Sequence, residues 1–347
     1  MPFTAQELDN IANAALDFYI DGQPLSQQIQ DKPLLAAMKT AQKTFPGGKG
    51  NISGNVKADY TTTFMGYSHD DTVTYANPAN IKQYTIPWYE LHAGISLTLT
   101  ELKKDGISVV DSTTGENTTE HSDREMTAIS NLLEDKLEDM DEGMARSFQQ
   151  MLWLDGTQSA KVFPGIQYFI ADDPTTGVVE GIDRSANTWW RNRSLVAANK
   201  IVSSPANQTA TITLRQEVRQ IRRYGGRPTL ILCGSTALQK LEAEVAAKGN
   251  YTQTGFTNGK TDLASPSLTM KDVGDFMYDP TLDDLGRPDY IYLIDPKHLF
   301  PYVMEDEDMK KHSPARPPEK YVLYRGVTWT GALTCRKMNA HGVYQLS

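Results

Sequence analysis

Only two of the 347 residues are cysteine, Cys233 and Cys335, far apart and without CxxC spacing. That argues against a disulfide-stapled scaffold or a cysteine metal site, and each thiol reads as buried and reduced. The chain also lacks any run of about 18 apolar residues, so no membrane-spanning helix is expected. Its first residues, Met1-Pro2-Phe3-Thr4, lack the basic-then-apolar order of a secretory signal. The product is expected to stay in the cytosol where it is made.

Catalytic signatures are missing too. There is no GxSxG elbow, and no His-x-x-x-His pair among His69, His92, His121, His298, His312 and His341, each of which reads as structural or exposed. Residues 231–236 have the strand, turn and helix start of a nucleotide fold. One glycine without GxGxxG or P-loop spacing cannot cradle phosphates. Glu305 to Asp308, and Asp279 with Asp283 and Asp284, offer the carboxylates that Ca2+ takes, but without the spacing of a loop site. Acids on a flexible surface explain both. No catalytic residue, cofactor or metal is assigned, and the chain is not expected to be an enzyme.

An apolar fraction of 39% with 22% charged residues is ordinary for a soluble globular protein, and the length suits two modest domains. The net charge is -9, but it is segregated. Residues 120–142 hold nine acids and two bases, whereas residues 184–227 hold nine bases and one acid. An acidic chain makes a poor dedicated nucleic-acid binder, since phosphate affinity needs clustered cations. A basic segment within it suits protein contacts better, with a solvated helix face as the bland alternative for either stretch.

Thr4-Ala-Gln-Glu7 is a capping box for a helix to about Ile20, and a second helix fits Pro33 to Thr44. From Ile52 to Thr100 the pattern turns to β: Tyr60, Thr62 and Phe64 alternate outward, and Tyr84, Ile86 and Trp88 on the return. An isolated hairpin of this kind is marginal in water. It is therefore expected to lie on another subunit. Ser122 to Glu125 is a further capping box, and behind it Ile129, Leu133, Leu137, Met140, Met144, Phe148 and Met151 recur at helical steps to about Leu154. Such a helix is roughly 50 Å long, and Gly143 within it marks a close contact or bend. Asp155-Gly156-Thr157 ends it.

Next comes Gly181-Ile-Asp-Arg184, with Trp189-Trp190-Arg191-Asn192 soon after. Adjacent tryptophans in a polar, turn-forming stretch are hard to read as ordinary core; with Arg191 they suit an interface anchor, or alternatively a base-stacking site. A compact α/β unit follows: a helix capped at Thr213 and running to Tyr224, a strand from Thr229 to Cys233, a helix from Ser235 to Gly249 and a strand from Tyr290 to Ile294. Lys320 to Leu346 closes with strands.

This order resembles, over nearly the whole chain, the major capsid proteins of tailed bacteriophages with the Hong Kong 97-type fold. The strongest matches are Trp88-Tyr89-Glu90 with Ile95 to Thr100, Asp155-Gly156-Thr157, Gly181 to Arg184 with Trp189 to Asn192, Tyr290 to Pro296, and Thr328 to Gly331. The resemblance implies an α+β chain divided into an N-terminal arm (1–50), an E-loop hairpin (51–100) and a peripheral domain (101–180) with a spine helix at 122–154. An axial domain (181–310) and strands returning to the peripheral domain (311–347) complete it. It implies subunit or domain contacts through Tyr60, Phe64, Tyr84, Trp88, Asp183, Arg184, Trp189, Trp190 and Arg191, and spine packing through the seven residues from Ile129 to Met151 named above. The implied partners are copies of itself in pentamers and hexamers, a portal, a cement or decoration protein, and non-specifically packaged double-stranded DNA. The helical region ahead of the hairpin is short, so a separate scaffolding protein is expected instead of a fused one. The implied location is the virion capsid, after assembly in the host cytoplasm. A cargo-loaded nanocompartment shell is the nearer alternative, and a nucleotide-binding or hydrolytic α/β enzyme the more distant one.

Overall fold

The computed structural model describes residues 3–4, 31–48, 50–58, 60, 62, 64–73, 75, 80–98, 109–110, 123–247, 268–270, 273–312 and 322–347. In chain order these form β1 (Phe3–Thr4), α1 (Pro33–Ala41), β2 (Lys43–Phe45), β3 (Asn51–Lys57), β4 (Ile81–Pro87), β5 (Tyr89–Thr98), β6 (Val109–Val110) and α2 (Asp123–Trp153). There follow α3 (Ile166–Phe169), β7 (Val178–Val179), β8 (Ile182–Asp183), β9 (Arg193–Leu195), α4 (Thr209–Arg223), β10 (Leu230–Cys233), α5 (Ser235–Ala247) and β11 (Thr269–Met270). The last are β12 (Gly274–Tyr278), α6 (Pro280–Asp284), β13 (Tyr290–Ile294), β14 (Leu299–Met304), β15 (Lys310–His312), β16 (Val322–Cys335) and β17 (Gly342–Gln345).

Helix α2 is the expected beam, 31 residues without interruption and so roughly 46 Å long. Its C-terminal half is fixed from several sides. Leu137, Met140, Ala145, Phe148, Leu152 and Trp153 are buried, with Met144 and Met151 partly so; the side chains of Ile129 and Leu133 lie outside the described residues. The Asp155 carboxylate accepts the Thr157 amide at 3.0 Å, which turns the chain away. Gly165 then returns against the helix end, where a Cβ would meet the Met151, Leu152 and Leu154 carbonyls at 2.4 to 2.5 Å. Gly143 faces open space, so no close contact within the chain explains it.

Helix α1 ends at Ala41, short of the expected Thr44, because residues 43–45 are recruited as a strand beside β14. Leu34, Leu35 and Met38 are buried in the main core. The Lys32 ammonium pairs with Glu142 at 2.9 Å, and the Leu35 amide bonds the Gln149 side chain at 2.8 Å. This part of the arm is therefore docked on its own chain. Phe3–Thr4 pairs with Val109–Val110 as strands; the rest of the expected first helix lies outside the described residues.

Two sheets carry the fold. The first has five strands: β16 pairs antiparallel with β5, β14 and β15, and β14 takes β2 in parallel. The second has the order β11-β12-β10-β13-β17-β9, with α4 and α5 joined to it in a second core of Leu214, Ile221, Ile231, Leu241 and Tyr344. The sheets cut across the boundary expected at residue 310: β14 precedes it yet lies in the first sheet, and β17 follows it yet lies in the second. Helix α4 begins at Thr209, not at Thr213. Its first amides are satisfied by Glu244 from α5, whose carboxylate accepts from Ala210 and Thr211 at 3.0 Å each and from the Ser203 hydroxyl at 2.9 Å. A fully buried carboxylate thus caps one helix from another.

Candidate assembly surfaces

The excursion between β3 and β4 is anchored at its root and bare beyond it. The two strands pair over seven residues from Asn51↔Pro87 to Lys57↔Ile81. Ile52, Val56, Tyr84 and Ile86 turn into the main core, and the Tyr84 ring lies so close across Gly54 that a Cβ there would meet its oxygen at 2.5 Å. Past Lys57 the ladder stops, so Tyr60, Thr62 and Phe64 are not in a strand. Tyr60 is 80% exposed and Phe64 wholly so, and Met65, Tyr67 and Tyr75 are exposed with them. Of the expected contact residues on this segment, Tyr60 and Phe64 face solvent, Tyr84 belongs to its own core, and Trp88 packs half-buried against it.

Sequence reading missed a second surface. A cavity of about 400 Å3 opens between α2 and the β5/β16 face, lined by Leu91, Met140, Met144, Met151, Met309 and Trp329 among others. Methionines are unbranched and polarizable and adapt to varied partners, aromatic rings included. The helical spacing of Met140, Met144 and Met151 was visible, but Met309 and Trp329 arrive through tertiary structure.

Within the Gly181 to Asn192 stretch, Ile182, Arg184, Trp190 and Asn192 are buried. The Arg184 guanidinium is 1% exposed and donates to the Phe169 carbonyl. Trp190 is buried in the main core, with its indole N–H on the Val179 carbonyl at 3.2 Å, and Trp189 packs edge-on against it at 5.5 Å. Arg191 Nε donates to the Arg184 carbonyl at 2.8 Å, Asn192 holds the Ala171 carbonyl at 2.9 Å, and Asp183 accepts the Ser185 amide at 2.8 Å. These side chains tie the chain to itself where it passes from one core to the other. Arg193 completes the tie with two 2.8 Å bonds to Glu217 of α4. Trp190 is therefore ordinary core, its ring closed to a stacked base, while Trp189 is half-buried.

Glu180 sits in the turn just ahead. It has a left-handed backbone (φ 52°) and three attachments. Its carbonyl accepts Thr85 of β4 at 2.9 Å, its carboxylate accepts the Cys335 amide at 3.1 Å, and its amide donates to the Tyr168 hydroxyl at 3.3 Å. Burial pushes its carboxyl up to about 8, against smaller downward pulls from the Cys335 amide and Arg184.

The remaining candidates are structural. Asp279 is fully buried rather than a surface acid; it accepts from Trp153 Nε1 and Gln149 Nε2 at 2.9 Å each, and caps α6 through Thr281. Asp283 accepts the Ser235 amide at 3.0 Å. Among the described residues no group of three or more His, Cys, Asp or Glu side chains is placed to hold a metal ion, and no helix is long and apolar enough to cross a membrane. Cys233 and Cys335 are buried free thiols, both raised by burial.

No protein-family model and no curated protein matches the chain. Solved structures do. The capsid of cyanophage A-1(L) is similar with a TM-score of 0.61 at 15% identity, over 92% of this chain and 94% of that one. The capsid of a native GTA particle gives 0.54 at 13%, over 94% and 95%, and the capsid of Myoviridae phage XM1 gives 0.52 at 11%, over 94% and 95%. At these identities the likeness is one of fold, and it extends over nearly the full length of each chain. The chain has the α+β fold of phage capsid subunits, as its motifs imply.

Proposed function

We propose that this protein is the major capsid protein of a tailed phage, assembling into the pentamers and hexamers of an icosahedral head around double-stranded DNA. The observation that carries the proposal is the set of exposed aromatics Tyr60, Phe64, Tyr67 and Tyr75 among the described residues between β3 and β4, on a chain with a capsid fold. Each buried aromatic contributes about 2 kcal/mol, so leaving Tyr60, Phe64, Tyr67 and Tyr75 in water forgoes several. The methionine-lined cavity beside α2 supplies an apolar surface of matching character on every copy, and the excursion of one subunit is assigned to the peripheral-domain face of the next. In this reading 1–50 is the arm, 51–100 the E-loop, 101–180 the peripheral domain, 181–310 the axial domain and 311–347 the returning strands, with β17 exchanged into the axial sheet and β14 into the peripheral one.

A separate scaffolding protein, a portal and a cement or decoration protein are the proposed partners, and the virion is the final location. Electron microscopy of the purified protein tests the proposal. Closed shells or ring-shaped capsomers are expected, with subunit contacts larger than about 1,600 Å2. A monodisperse monomer at all concentrations and salts overturns it. Shells isolated from producing cells should hold duplex DNA; a protein cargo instead would identify a nanocompartment.

A further inference from the structure

Cations line the exposed face of helix α4 and the adjoining end of the first sheet. Helix α4 buries Ala210, Leu214, Val218 and Ile221 and presents Arg215, Arg219 and Arg223 outward, one turn apart on the opposite side. Its one acid, Glu217, is buried and taken by Arg193. At the end of α4, the Lys337 ammonium lies 3.1 Å from where a Gly225 Cβ would be, which carries the positive surface onto the end of the first sheet. There Lys43 and Arg336 stand over the Phe300 ring at 3.8 and 5.3 Å. Lys43 is lowered by partial burial and then by the charges of Arg336 and Lys297. The buried Asp295 lies beneath this end, 3.9 Å from His298. None of Arg215, Arg219, Arg223, Lys297, Arg336 and Lys337 forms an ion pair among the described residues.

We propose that this face docks the acidic N-terminal half of helix α2 of a second copy. The inference rests on the capsid reading and names a contact within it. Residues 120–142 carry nine acids and two bases, of which Glu142 is already held by Lys32 of its own chain, and the described helix from 123 to 142 runs about 30 Å, against about 22 Å for α4 with the sheet end extending it. Each copy thus carries both halves of a charge-complementary pair of similar length and opposite sign. Two different patches that match each other make a head-to-tail contact, the kind that forms rings when the rotation between copies closes. Arginine forks suit carboxylates in bidentate pairs. The cationic face has few apolar anchors, so the contact sets orientation and encounter rate, and salt weakens it.

The test is a charge swap in the full-length protein. Arg219→Glu with Arg223→Glu on one side, and Asp135→Lys with Asp139→Lys on the other, are each expected to slow shell assembly at least about tenfold at low salt. Combining all four is expected to restore the rate to within about threefold. A milder Arg219→Gln with Arg223→Gln, checked by circular dichroism, separates loss of contact from loss of fold. Normal assembly of either reversed protein, or no recovery in the combined one, overturns the contact. So does a result in which the arginine changes abolish retention on duplex DNA and leave assembly intact, which would make the face a phosphate surface. Failure of the unaltered protein to form shells overturns the capsid reading itself and is distinct from all of these.

Discussion

Glu180 shows what one buried side chain does for this fold. Its carboxyl is pushed up to about 8 from an ordinary 4.5, with desolvation as the first cause. Between those values the folded state holds a proton that the unfolded chain has released, so this group's stability is fully present below pH 4.5 and is lost as pH rises through about 8. Glu180→Gln keeps an acceptor for the Cys335 amide and removes the titration. The variant is expected to match the parent near pH 4.5 and exceed it in denaturation midpoint at pH 8, read by urea unfolding of the unassembled subunit; equal midpoints at both would show that the carboxyl does not titrate in this range. His341 acts in the opposite sense, being buried and lowered to about 3, so the comparison must be made variant against parent at each pH. Nothing in the sequence marked Glu180. Its role comes from Tyr168, twelve residues before it, and from Thr85 and Cys335, which lie far from it in the chain and meet it only in the fold.

At the scale of elements, the long helix was legible because apolar residues recurring at steps of three and four over such a length trace one face of a helix and fit no strand. Ala145 lies in its buried face at 1% exposure. Ala145→Pro removes a helix hydrogen bond, clashes one turn back and is expected to cost about 3 kcal/mol or more, seen as insoluble or unfolded protein. A soluble Pro variant with the parent's melting temperature would contradict this. The start of α4 was not legible. Thr213 to Gln216 reads as a local capping box, yet the helix begins at Thr209 and is capped by Glu244, a residue of the next helix. Glu244→Ala strands the buried Ala210 amide, at about 1 to 3 kcal/mol, and leaves the half-buried Ser203, Ser204 and Thr211 donors without their acceptor. A loss of about 3 kcal/mol in urea unfolding is expected, and an unchanged midpoint would show that water replaces the carboxylate. The sequence could not reveal that cap, because local patterns report local partners only.

At the scale of the whole molecule, the order of parts was readable while their attachments were not. The Trp189-Trp190 pair was conspicuous for composition, and its packing inside one chain required Val179 and the turn at Met338–Ala340 to be brought beside it. Conversely, Tyr60 and Phe64 read as strand residues by alternation, but with no pairing past Lys57↔Ile81 they are left exposed. Replacing residues 59–79 with Asn-Gly tests what that exposure means. The Ala58 amide already bonds the Asn80 carbonyl at 2.6 Å, so a two-residue turn closes the existing ladder with favourable geometry. Ile52, Val56, Tyr84 and Ile86 stay in the core, and the subunit is expected to keep its melting temperature to within a few degrees. The shell is expected to fail or to fall apart on dilution, because the aromatics proposed to reach a neighbour are gone. Shortened protein that still forms robust shells would show that the excursion does not clamp subunits, and shortened protein that unfolds would show that it supports its own core. Folding and assembly separate only if the root belongs to one chain and the tip to another, the division that the pattern of buried and bare aromatics draws at Lys57 and Ile81.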